Sequence, residues 1–208
     1  MKTFFLLLIV TCLPLLCWGN KGQGMLNVGI SSLPERKGQL TPVLGTQNLL
    51  ISPKSQIEVG IEYYFNAWLG LALKGYYVRS QNGKVTTASV PYIVSQWESQ
   101  WSRNMLFAGI TLWWRFSKNW GINYQTGLIK GTGKYEYKDV LDYTNKIEDD
   151  FELTGRAWEL SLSYHFNRQG LRAGIRQTRE NMRGLDKLYL TEDSVTYSSL
   201  FLNYFIAI

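Results

Sequence analysis

The sequence predicts an all-β protein: an eight-stranded antiparallel up-and-down transmembrane β-barrel with short periplasmic turns and four long extracellular loops. Three observations predict it. Apolar and polar residues alternate through eight separate segments, short turns strictly alternate with long connections, and an apolar leader precedes everything. In such a barrel lipid, not a hydrophobic core, partners the apolar face, and closure satisfies every backbone polar group.

The leader comes first. Lys2 precedes the apolar runs 4–10 and 13–16, and Gly19 sits where a signal peptidase needs a small residue. This reads as a signal peptide over residues 1–19, too short and too early for a mature membrane helix, followed by one barrel domain over residues 20–208. A lipoprotein signal acylated at Cys17 is the rival, but it wants a small residue where Leu16 stands. Both cysteines, Cys12 and Cys17, lie in the leader. The mature chain then has no disulfide framework, no thiolate metal site and no cysteine nucleophile. Removing Lys2 from the 22 basic residues leaves 21 against 16 acidic, a net charge of +5. The basic residues are scattered, which argues against nucleic-acid binding and suits anionic headgroups such as lipopolysaccharide phosphates.

The strands follow in order. The first sets Leu26, Val28 and Ile30 against Asn27, Gly29 and Ser31. The second sets Ile57, Val59, Ile61, Tyr63 and Phe65 against Glu58, Gly60, Glu62 and Tyr64. The third sets Leu69, Leu71 and Leu73 against Gly70, Ala72, Lys74 and Tyr76. The fourth sets Leu106, Ala108, Ile110, Leu112, Trp114 and Phe116 against Phe107, Gly109, Thr111, Trp113 and Arg115. The fifth sets Trp120, Ile122, Tyr124 and Leu128 against Gly121, Asn123, Gln125 and Gly127. The sixth sets Trp158, Leu160, Leu162, Tyr164 and Phe166 against Ala157, Glu159, Ser161, Ser163 and His165. The seventh sets Leu171, Ala173 and Ile175 against Arg172, Gly174 and Arg176. The eighth sets Leu200, Leu202, Tyr204, Ile206 and Ile208 against Ser199, Phe201, Asn203 and Phe205.

Asn66-Ala67, Ser117-Lys118-Asn119 and Asn167-Arg168-Gln169-Gly170 are hairpin turns rich in turn-formers. The other four connections exceed hairpin length. Short turns face the periplasm in this barrel class, so both termini are expected there. Phe65, Trp68, Trp114, Phe116, Trp120, Tyr164 and Phe166 cluster beside the short turns as a periplasmic aromatic girdle. Tyr77, Trp97, Trp101, Tyr135 and Tyr137 fall towards the other interface. A mean hydropathy of −0.15 is compatible with this, because only alternate residues face lipid. A soluble eight-stranded barrel would instead charge its outer face, whereas the polar face here is mostly Gly, Ser, Asn and Thr.

A barrel of eight strands is just wide enough for side chains to fill it. The inward charged set is Glu58, Glu62, Lys74, Arg115, Glu159, Arg172 and Arg176. It reads either as a salt-bridge network that plugs the lumen or as a narrow path gated by those pairs. A wide diffusion pore needs more strands.

The stretch Val59-Gly60-Ile61-Glu62-Tyr63-Tyr64-Phe65, turn, Leu69-Gly70-Leu71-Ala72-Leu73-Lys74-Gly75-Tyr76-Tyr77 resembles the hairpins of small porin-family and opacity-type surface proteins, and of the barrels of outer-membrane proteins A and X. The resemblance covers the whole mature chain as an architecture. It implies the outer membrane of a Gram-negative envelope, loop-borne contacts and no catalytic residue. The final Tyr204-Phe205-Ile206-Ala207-Ile208 resembles terminal strands read by the barrel-assembly machinery, although that pattern usually ends on an aromatic and here ends on Ile208.

Some barrels of this size modify lipid A through a histidine near the outer leaflet. The one histidine, His165, points inward by parity, sits beside a periplasmic turn, and is followed at Asn167 by no serine. Gly131-Thr132-Gly133-Lys134 lacks the remaining glycine and Ser/Thr of a phosphate loop. No metal-ligand spacing occurs, and no cofactor is expected. Function falls to the loops: residues 34–55, 80–104, 139–154 and about 180–193. Trp97 and Trp101 are either partner contacts or interface anchors. Asp139, Asp142, Glu148, Asp149, Asp150 and Glu152 form a solvated acidic run or a divalent-cation site. The readings are a non-enzymatic surface, structural or adhesion barrel; an accessory subunit of an outer-membrane secretion or uptake complex; and, third, a lipid A-modifying enzyme. The expected partners are outer-membrane lipids and lipopolysaccharide, the barrel-assembly machinery during insertion, and an outer-membrane protein in the second reading.

Overall fold

A computed structural model gives the fold and describes residues 22–33, 36–40, 47–51, 55–86, 96–139, 146–183 and 194–208. The predicted leader and the central parts of the long connections lie outside the described residues. The strands are β1 (Gln23–Ser32), β2 (Arg36–Leu40), β3 (Gln47–Ile51), β4 (Ser55–Tyr64), β5 (Leu69–Thr86), β6 (Gln96–Arg115), β7 (Trp120–Asp139), β8 (Lys146–Phe166), β9 (Gln169–Arg183) and β10 (Ser194–Ala207). Eight of them close into an antiparallel barrel in the order β1, β4, β5, β6, β7, β8, β9, β10, with β10 back on β1. These eight match the predicted strands. Val28 in β1 lies opposite Val59 of β4 on one side and Tyr204 of β10 on the other.

The short turns are built as their residues dictate. Asn66 Oδ1 accepts the backbone N–H groups of Trp68 and Leu69 at 2.9 and 2.8 Å. Ser117 Oγ accepts those of Asn119 and Trp120 at 3.3 and 3.0 Å. Asn167 turns the β8–β9 hairpin with φ 61°, a left-handed conformation that Asn tolerates better than most residues.

The parity of the predicted strands holds except at Arg115, the last residue of β6. Val28, Ile30, Ile57, Leu71, Ile110, Leu160, Ile175 and Leu202 are exposed, while Asn27, Glu58, Glu62, Thr111, Asn123, Ser163 and Asn203 are buried. Lipid is the only solvent that makes such an exterior favourable. The exposed apolar runs cover residues 106–116, 120–128 and 158–166 on β6, β7 and β8, close to the about 9–11 residues that a membrane strand requires.

The strands do not stop at that band. β6 and β7 have 20 residues each and β8 has 21. Twenty residues rising about 3.3 Å each and tilted about 40° span about 50 Å, twice the about 25 Å apolar band. Much of what reads as loops two and three, and the start of loop four, is therefore strand. Loop one is corrected as well: it contains β2 and β3, a hairpin whose β3 pairs with the upper part of β5, Asn48 opposite Thr86 and Ile51 opposite Gly83. β1 and β4 have only 10 residues each, so the wall is tall on one side and low on the other.

Above the lipid band the faces exchange character. On β8 the inward residues become Phe151 and Leu153, both buried, and the outward ones Asp150, Glu152 and Thr154. Leu33, Val78 and Tyr197 cluster there, alongside buried Met105 and Ile129. This upper part is packed like a water-soluble barrel, with its apolar groups inside.

Candidate functional site

The inward residues fill the lumen in layers. At the short-turn end Met25, Tyr64, Trp113 and Phe205 form an apolar stopper. His165 joins it, stacked on Trp113 at 4.7 Å and edge-on to Phe205 at 4.8 Å. Inward glycines make room for these rings. A Cβ on Gly121 would meet the Trp113 indole nitrogen at 2.5 Å, and one on Gly170 would meet the Phe205 ring at 2.4 Å.

Glu62 is the hub of the next layer. Its carboxylate accepts two bonds from Arg172, at 2.5 and 3.1 Å. It also accepts from Asn27, Tyr64 and Gln125 at 3.1, 2.8 and 2.8 Å. Thr111 and Asn123 extend this network, Asn123 donating to Thr111 at 2.8 Å. A fully buried carboxylate with five such bonds is compensated for its lost hydration.

Above it Arg176 bridges Glu58 and Glu159, donating Nε to Glu159 at 2.6 Å and Nη2 to Glu58. Lys74 donates to Glu159 at 2.5 Å and Tyr76 to the same group at 3.0 Å. Asn203 completes Glu58. The Arg176 guanidinium also lies over Tyr76 and Phe201, 4.4 and 5.1 Å from their ring centres, where the ring faces favour a cation.

Six of the seven predicted lumen charges meet in these two layers. Arg115 does not: it is exposed at the short-turn mouth and lies over Trp113 at 4.7 Å. Parity points it inward, but its strand ends there and its long side chain reaches water. A further pair was missed by the sequence. Arg103 donates to Glu180 at 2.7 Å, and Tyr197 donates to Glu180 as well. Continuing the two-residue count up β6 and β9 finds both, since Arg103 shares parity with Phe107, and Glu180 with Arg176. Among the described residues the buried acids are Glu58, Glu62, Glu159 and Glu180, and the buried Lys and Arg are Lys74, Arg103, Arg172 and Arg176. The interior charge balances.

The seven girdle aromatics, from Phe65 to Phe166, are all exposed beside the short turns, Trp114 the most at 66%. Trp120 and Tyr164 touch across β7 and β8 at 4.9 Å between ring centres. Trp97 and Trp101 lie in β6, not in a loop. They sit opposite Val85 and Gln81 of β5, and opposite Asp139 and Tyr135 of β7. Of the acidic run, Glu148, Asp149, Asp150 and Glu152 lie on β8 and Asp139 ends β7; Asp142 is outside the described residues.

The outer-membrane protease OmpT of Escherichia coli superposes with a TM-score of 0.51 at 10% identity, covering 90% of this chain and 94% of that structure. The chain has the fold of an outer-membrane β-barrel. Two smaller scores accompany it. The attachment invasion locus protein Ail of Yersinia pestis gives 0.48 at 11% identity, over 90% of this chain and 99% of that one. Neisserial surface protein A gives 0.45 at 9% identity, over 89% and 96%. No protein-family model and no curated protein sequence matches the chain.

Proposed function

We propose that this protein is a non-enzymatic integral outer-membrane barrel, with a closed lumen and periplasmic termini, whose extended rim presents a binding surface outside the cell. The observation that carries the reading is the continuation of β5 to β9 well past the lipid-facing band as a polar-faced wall. A barrel that only had to span the bilayer would need strands of about half that length. The fold alone does not decide between binding and catalysis, since OmpT is a protease. The residues favour binding, because His165 is held between Trp113 and Phe205 at the periplasmic end, far from the outer leaflet.

Single cysteines test orientation and exposure. On intact cells an impermeant maleimide should label Thr132→Cys, and should label Lys118→Cys only after the envelope is opened. The reverse pattern overturns the reading. A mild-detergent pull-down of the tagged protein should recover it without a stoichiometric protein. Recovery of a large outer-membrane partner at one to one would replace the autonomous barrel with the accessory-subunit reading.

A further inference from the structure

We propose that Lys130, Arg156 and Arg179 bind the phosphate groups of a lipopolysaccharide-type glycolipid in the outer leaflet. The inference rests on the outer-membrane reading and adds a ligand and its residues.

The outward faces of β7, β8 and β9 can be followed row by row from the register. Tyr124, Leu160 and Ile175 form one row, Thr126, Trp158 and Gln177 the next, then Leu128, Arg156 and Arg179, then Lys130, Thr154 and Asn181. Successive rows are about 6.6 Å apart along the strand. The first row is lipid-facing. In the second, Trp158 Nε1 donates to Gln177 Oε1 at 2.9 Å, as expected of a tryptophan at the headgroup level. The cations begin one row higher, where lipid phosphates lie.

Arg156 and Arg179 stand directly opposite each other. Two like charges in that relation repel, and both are exposed. Lys130 lies diagonal to Arg156. Among the described residues none of the three has an acidic partner; Arg179 donates only to the Ser194 hydroxyl, at 3.1 Å. The cations higher on the wall differ. Lys134 pairs with Asp150 at 3.6 Å and Lys138 with Glu136 at 2.7 Å. The lower tier leaves its charge for an anion from outside the protein. The register partners on the flanking strands are uncharged: Leu106 and Ala108 of β6, and Thr196 and Ser194 of β10. Uncharged neighbours therefore bound the patch on both sides.

A glycolipid fits better than a phospholipid. A hollow of about 680 Å³ opens just above the patch, with Asn104, Thr132, Asp150, Glu152 and Arg183 on its lining. A phosphorylated sugar headgroup has hydroxyls to place there, whereas a phospholipid headgroup ends at the cations.

The test uses the full-length protein purified from outer membranes in mild detergent and titrated with purified lipopolysaccharide or with phosphatidylglycerol, read by native mass spectrometry. The triple variant Lys130→Gln/Arg156→Gln/Arg179→Gln should bind lipopolysaccharide at least ten-fold more weakly than the parent. Lys138→Gln, which removes a cation already paired with Glu136 and away from the hollow, should bind like the parent. Heat-modifiable gel migration confirms that each variant is folded, and single replacements stand in if the triple is not. Equal binding by the triple variant and the parent overturns the site. Phosphatidylglycerol binding as tightly as lipopolysaccharide overturns the glycolipid assignment. A parent absent from the outer-membrane fraction would sink the underlying reading instead, so the two failures are distinguishable.

Discussion

At the scale of single residues, the interior is a set of charges that tolerate burial only together. Arg172 gives both its terminal nitrogens to Glu62. Replacing it leaves a carboxylate in a dry layer, and Arg172→Met should lower the unfolding free energy by about 3–5 kcal/mol. Removing both charges removes the problem, so Glu62→Leu with Arg172→Met should recover about half of that loss or more. Recovery stays incomplete because Asn27, Tyr64 and Gln125 also lose their acceptor. Urea unfolding in lipid vesicles measures both values. A single replacement costing under about 1 kcal/mol would show that the pair does not hold the layer together. Glycine supplies the other residue-scale prediction. A side chain at Gly170 meets the Phe205 ring on one side and the Tyr164 carbonyl at 2.3 Å on the other. Gly170→Val should therefore destabilise the apolar stopper by about 1–3 kcal/mol, as overpacking does.

At the scale of elements, the hairpins depend on single turn residues. Asn167 occupies the left-handed region, where a β-branched residue is strained. Asn167→Val should cost about 1–2 kcal/mol, while Asn167→Gly should stay within about 1 kcal/mol. Refolding into vesicles followed by denaturant titration distinguishes them. The same elements show why the sequence revealed the membrane half and not the upper half. Within lipid, Leu160 and Leu162 face out while Ser161 and Ser163 face in, and a period of two exposes both sets. Above lipid the period continues but its meaning inverts: Phe151 and Leu153 go in while Asp150 and Glu152 go out. Read as one outward apolar face, the pattern ends at that inversion, so the strand seems to end there too. β5 adds a slip of register between Val78 and Gln81, which breaks strict alternation at the same height. The Arg103–Glu180 pair was hidden by the inversion, whereas Glu58, Glu62, Glu159, Arg172 and Arg176 lay below it and were legible.

At the scale of the whole molecule, the described lumen is filled layer upon layer by apolar rings and paired charges. Stopper, Glu62 hub, Arg176 bridge and upper apolar cluster follow one another from the short-turn mouth to the rim. Purified protein in planar bilayers should give no stepwise conductance at moderate voltage. Porin-like steps would overturn the filled lumen. Rigidity follows as well, because each buried carboxylate ties at least two strands, as Glu62 of β4 does with Arg172 of β9 and Gln125 of β7.

The unequal heights of the wall carry one more consequence. A strand that outgrows its neighbour presents a row of unsatisfied amide and carbonyl groups, a template on which a second molecule can zip. β5 outgrows β4 in this way, since their pairing ends with Ile57 opposite Tyr77 while β5 runs on to Thr86. The β2–β3 hairpin lies along that stretch, β3 covering residues 83–86. The free edge thereby passes to β2, five residues opening on Arg36 and Lys37, and a short, charged edge resists pairing with a second sheet.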